Sequence, residues 1–155
     1  MDFNKLRRNN QRNKFIFSNA AAERILGLPA FSVVETDLTH ENKVLVKTRD
    51  KKYELPTSAF YQDFTQSRQR RSQKLQVSTT EYVNVFMITN PENHNRYPTR
   101  TIATGVECRC RDYEKQQELI TGSRHCCKHG YAVLSYLGYS SLAEYLAANS
   151  LQATA

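Results

Sequence analysis

Apolar and polar positions change period several times along this chain, and each change predicts an element. After Ser18-Asn19, a capping pair, Ala20 to Leu26 carries a short helical pattern closed by Gly27 and then Pro29. Residues 32–38 and 43–48 alternate as strands, Tyr53-Glu54-Leu55 reads as a third, and Arg49 to Lys52 turns between the last two. Val44 and Val46 share a face and Leu45 takes the other, so one side of this hairpin is only partly apolar. Beyond Pro56, Thr57 or Ser58 caps a helix with Phe60, Tyr61 and Phe64 turned inward, running on into arginines.

The second half starts with the strongest strand, 81–89, which pairs with 100–110 across the polar loop Asn90 to Pro98. Asp112 to Gly122 is helical in composition. Tyr131 to Leu137 predicts a helix with Val133, Leu134 and Leu137 on one face, ended by Gly138. Ser141 to Glu144 is a capping box that opens a last helix through Tyr145 and Leu146 and packs it on the one before, and Leu151 to Ala155 frays. The fold class is therefore α+β. The expected segments are a basic tail (1–14), a small α+β unit ending in a basic helix or linker (15–75), a β-hairpin plus helix module with a C-terminal helix (76–148), and a tail (149–155).

Charge adds a partner class to this outline. Lys and Arg number 22 against 15 Asp and Glu, a formal +7, a balance that permits nucleic-acid contact. The excess is clustered. Lys5, Arg7, Arg8, Arg12 and Lys14 oppose Asp2 at the N-terminus; Arg68, Arg70, Arg71 and Lys74 form a second run; Arg96, Arg100, Arg109 and Arg111 form a third group. No stretch approaches the ~20 apolar residues of a membrane span, so no membrane is expected. Residues 1–14 contain no apolar run of a signal peptide, which predicts an intracellular, cytoplasmic protein, nuclear if the source is eukaryotic.

The chemistry is concentrated in Glu107-Cys108-Arg109-Cys110-Arg111-Asp112-Tyr113 and Arg124-His125-Cys126-Cys127-Lys128-His129-Gly130, which hold all four cysteines and two of the four histidines. Cys108 and Cys110 stand two apart, and in extended backbone two such thiols share a face and can grip one ion. Cys127 and His129 diverge by about 200° inside a regular helix, so one of them precedes it: Cys127 in the turn, His129 in the opening turn. Three sulfurs and one imidazole are the donors of a closed tetrahedral zinc site. Spacing alone leaves the third sulfur open, because Cys126 and His129 also share a helical face, and His125 is a further donor. Where thiols stay reduced, such a cluster reads as metal-binding rather than as two disulfides.

The pattern resembles the SWIM-type zinc finger: Cys-x-Cys, a spacer, then Cys-x-His, here Cys108, Cys110, Cys127 and His129, with Asp112-Tyr113 after the first pair and an apolar helix from Gly130. It covers roughly residues 80 to 140. The resemblance favours Cys127 over Cys126, which then reads as a buried small apolar residue. It implies one structural Zn2+, a zinc-stapled hairpin plus helix, and DNA binding or protein interaction instead of catalysis. The expected nucleic-acid contacts are Arg100, Arg109, Arg111, Arg124 and Lys128, helped by Arg68, Arg70, Arg71 and Lys74. The alternative is a zinc-scaffolded adaptor for a protein partner. An enzyme with a small-molecule substrate is not expected: four ligands leave no open metal position, and no Gly-rich phosphate loop or HExxH occurs.

Overall fold

The basic N-terminal run is a helix, α1 (Phe3–Ile16), instead of a tail. Its Lys, Arg, Asn and Gln residues contain no Gly or Pro to break it, and its end is tied down by apolar side chains. Ile16 and Phe17 are buried, and Phe15 meets Phe64 edge-on with ring centroids 5.4 Å apart. The computed structural model describes residues 3–40, 42–122 and 124–152. Contacts divide the chain into two units, Met1–Ser67 and Arg68–Ala155.

In the first unit, Ser18 is extended and its hydroxyl accepts the Ala21 amide at 3.2 Å, capping α2 (Asn19–Leu26), and Gly27 ends that helix at φ 65°. β1 (Val33–His40), β2 (Lys43–Thr48) and β3 (Lys52–Pro56) follow as an antiparallel sheet in that order. Val44 and Val46 are fully buried, paired across the sheet with Leu55 and Tyr53. Phe60 of α3 (Thr57–Ser72) is fully buried as well, and its ring meets Phe17 edge-on at 5.4 Å. Tyr61, expected inward, is half exposed against the rim of Phe17. Arg24 clamps the buried Asp63 through two guanidinium nitrogens, joining α2 to α3.

The second unit is built on the antiparallel sheet β4 (Gln76–Thr79), β5 (Val85–Thr89), β6 (Arg96–Ile102) and β7 (Gly105–Cys108). Three expectations change here. Residues 81–84 are a bend and a turn, so the strand expected over 81–89 starts at Val85. The strand expected over 100–110 is two strands, folded back on itself at Ala103-Thr104, with Ile102 opposite Gly105. Arg96 to Pro98 belong to β6, which shortens the loop. The inward set switches from odd positions (Thr99, Thr101) to even ones (Val106, Cys108) across the two-residue turn. The inward residues before it are threonines, while Ile102, Val106 and Cys108 keep an even apolar spacing, which hides the turn in the sequence.

Alternate residues of the sheet face inward: Phe86 and Ile88, then Thr99 and Thr101, then Val106 and Cys108. α5 (Lys128–Tyr136) lies on that face through Ala132 and Val133 against Phe86 and Ile88. Leu137, expected on the same apolar face, is 39 % exposed. α4 (Arg111–Leu119) fills the spacer between the ligand pairs. The last helix, α6 (Leu142–Gln152), sets Leu142 and Tyr145 against Leu134 and Val106, and Tyr145 donates its hydroxyl to the Ile102 carbonyl at 2.7 Å. It runs through much of the segment expected as a tail; residues 153–155 of that segment lie outside the described residues. Among the described residues no helix is long and apolar enough to cross a membrane.

Candidate metal centre

Strand β7 ends at Cys108, and two residues on Cys110, itself extended (φ −81°, ψ 154°), becomes the N-cap of α4. Cys127, also extended, is the N-cap of α5, and His129 sits in that helix's first turn. The two pairs therefore converge as the spacing requires. The Sγ atoms of Cys108, Cys110 and Cys127 and a ring nitrogen of His129 all lie within 4.8 Å of one another. Nδ1 of His129 is 3.7 Å from both Cys108 Sγ and Cys127 Sγ. A sulfur and a nitrogen on a tetrahedral zinc, with Zn–S of ~2.3 Å and Zn–N of ~2.0 Å, stand about 3.5 Å apart. All four residues are buried. The donor set and spacing can hold one metal ion.

Cys110 Sγ accepts the Tyr113 amide at 3.4 Å, and Cys110 and Cys127 both stand at helix N-termini. Among the thiols themselves, hydrogen bonds from Cys110 and Cys127 pull Cys108 down to about 3. The same contacts with Cys108 and Cys110, with burial added, push Cys127 up. A bound dication would take all three sulfurs as thiolates and release their protons. Tyr97 covers the imidazole of His129, ring centroids 4.5 Å apart at 31°.

Thr99 is fully buried directly across from Cys108 in the β6–β7 register, and its hydroxyl has no partner in full hydrogen-bond geometry among the described residues. A buried orphan hydroxyl costs about 1–3 kcal/mol. The group it faces is the Cys108 sulfur, whose pKa it helps to lower, so a thiolate there satisfies it. Thr99→Val is expected to weaken metal binding roughly tenfold or more, in the range of outer-shell losses, and Thr99→Ser to retain it. Competition with a chromophoric chelator reads the difference, and equal affinity in all three proteins would remove Thr99 from the site.

Cys126 faces the other way. Its side chain lies in the apolar cluster of Val106, Leu134, Leu142 and Tyr145, its S–H contacts the Cys127 carbonyl at 3.7 Å, and burial pushes its pKa up. The adjacent peptide is held by Gln116, itself 2 % exposed: Oε1 accepts the Cys126 amide at 3.0 Å and Nε2 donates to the Cys126 carbonyl at 3.2 Å. Nε2 also reaches Asp112, which Arg68 grips at 2.9 and 2.6 Å. This chain of contacts positions Cys127 without touching the ion. His125 is spent on the Ile120 carbonyl, 2.9 Å from Nε2, and is not among the converging donors.

Gly130 shows how closely α5 approaches. A Cβ there would stand 2.8 Å from Cys126 Sγ. Gly130→Ala is expected to destabilise the metal-loaded protein by about 1–3 kcal/mol through overpacking. Adding Cys126→Ala should recover a large part of the loss, because it deletes the atom that is struck. Denaturant unfolding of the two single variants and the double reads the coupling; strictly additive losses would contradict the contact.

The basic residues divide. Arg68 is the clear correction: its side chain is 7 % exposed and bound to Asp112, so it braces α4 instead of offering itself to a phosphate. Arg100 is exposed but pairs with Glu107, Nε to Oε2 3.0 Å, and Lys74 approaches Glu92 at 3.8 Å. Arg70, Arg71, Arg109, Arg111 and Arg124 are exposed and Lys128 is half-buried. Arg100 and Arg109 line one recess of about 460 Å³ beside Cys108 and Tyr113. Gln116, Thr99 and Tyr97 had no signal in the sequence as site residues; only the alternation of Tyr97, Thr99 and Thr101 set them on one face. No protein-family model, curated protein or solved structure matches the chain.

Proposed function

We propose that this is a non-catalytic zinc-binding protein whose second unit is a SWIM-like finger, and that cations exposed around the finger bind DNA. One observation carries the zinc reading: three buried sulfurs and a buried imidazole nitrogen lie within 4.8 Å of one another. Cys108, Cys110, Cys127 and His129 would hold the ion, which when bound cross-links β7, α4 and α5. Four protein ligands fill a tetrahedral shell and leave no site for water or substrate, which supports a structural role over an enzymatic one.

The DNA reading is supported by the +7 balance and by Arg109, Arg111 and Arg124, which bracket the ligands in sequence and are exposed. Contacts of this kind are to phosphates, so affinity should fall steeply with salt. Gel shifts of a short duplex across a salt series test it. Arg109→Gln or Arg111→Gln should each reduce the slope of log affinity against log salt by about one. The adaptor reading draws on Tyr82 and Val83, which are exposed before β5. No duplex shift at low salt, together with a salt-independent protein complex, would favour it.

A further inference from the structure

The turn leading into β1 carries a feature that folding does not require. Ser32 donates its amide to the Pro29 carbonyl at 3.3 Å, and Phe31, the third residue of this turn, has φ 66°. Turns give that left-handed position to Gly or Asn, and a bulky side chain is strained there. The ring gains nothing in return, being 96 % exposed. A strained residue that the fold neither needs nor buries points to a task outside folding.

Its neighbours say what task. Phe31 lines a recess of about 450 Å³ in the first unit with Leu28, Tyr53 and the β2–β3 turn residues Arg49, Asp50 and Lys51. Neither cation forms an ion pair with a carboxylate among the described residues. A bare aromatic face beside two cations suits a polymer that alternates planar rings with negative charges. An acidic peptide would use the cations and leave the ring without a role, and a duplex hides its base faces in the stack. We propose that this recess binds single-stranded nucleic acid, with Phe31 the platform on which a base stacks and Arg49 and Lys51 the phosphate contacts. It is independent of the metal centre and of the finger's arginines.

The test uses the full metal-loaded chain, a labelled oligothymidine of about twelve nucleotides, within the site sizes of single-strand binders, and a duplex of the same length. Phe31→Gly is expected to weaken oligothymidine binding roughly tenfold or more, as loss of one stacked base does, while its melting temperature holds or rises. Arg49→Gln and Lys51→Gln should each lower the single-strand salt slope by about one. Single-strand binding that depends on Phe31 while no duplex is bound would leave this site standing and end the finger's DNA reading. Unchanged oligothymidine affinity in Phe31→Gly, a melting temperature several degrees lower, or equal competition by oligoglutamate would overturn the proposal.

Discussion

Stripping the metal with excess chelator is expected to unfold the second unit while the first keeps its structure. Four of the second unit's buried residues are the ligands themselves, and the cluster they form with Tyr113 has little apolar content of its own. Remove the ion and three sulfurs and an imidazole are left facing one another where β7, α4 and α5 meet. The damage reaches further than that corner. α5 begins at Cys127, and it carries Ala132 and Val133 onto Phe86 and Ile88 and Leu134 onto Val106 and Tyr145. An untethered α5 therefore loosens both apolar clusters of this unit. Structural zinc in small modules contributes about 10–16 kcal/mol of apparent binding free energy, as large as the whole stability of a typical domain, about 5–15 kcal/mol. The first unit buries Val44, Val46 and Phe60 fully and, among the described residues, holds no metal-ligand cluster. Far-ultraviolet circular dichroism should fall in part, and amide exchange should speed up in residues 68–152 while 43–65 remain protected. An unchanged spectrum and unchanged exchange after complete metal removal would end the zinc-staple account.

Much of this site could be read from residue spacing, because its geometry is local. Two-residue spacing in extended backbone brings Cys108 and Cys110 together whatever the rest of the chain does, and the helix entrance at Cys127 follows from the same rule. Ser18, Gly27 and the strand 43–48 were legible for similar reasons, since caps and alternation act over a few residues. What escaped depends on tertiary contact. Arg68 looks like any member of a basic run until Asp112 comes round to meet it. Gln116 is one polar residue among many on α4 until the Cys126 peptide lies beside it. The Ala103-Thr104 turn is silent because the inward residues before it, Thr99 and Thr101, are polar, so the apolar spacing of Ile102, Val106 and Cys108 runs on through the reversal. Phe31 sits after Leu28 and Pro29 in a stretch that reads as an ordinary loop, and its strain is visible only in the backbone.

Serine substitutions at the two adjacent cysteines separate ligand from core. Cys127→Ser replaces a thiolate that faces His129 and Cys108 with a weak oxygen donor, leaving three strong ligands. Metal affinity should drop by more than the roughly 10–100-fold that an outer-shell change causes, and the purified variant should lose its stoichiometric metal and with it the fold of the second unit. Cys126→Ser should do the opposite. It keeps all four donors and so its metal, but it places a hydroxyl among Val106, Leu134, Leu142 and Tyr145. The Cys127 carbonyl, 3.7 Å from the sulfur it now meets, is a distant acceptor for it, so the cost should be about 1–3 kcal/mol in denaturant unfolding of the metal-loaded protein. Cobalt substitution gives an independent reading, since sulfur-to-cobalt charge-transfer absorption scales with the number of bound thiolates. It should fall in Cys127→Ser and hold in Cys126→Ser. The reverse pattern would move the third sulfur to Cys126 and require α5 to start one residue earlier, turning Gln116 from a brace of the ligand's neighbour into a brace of the ligand itself.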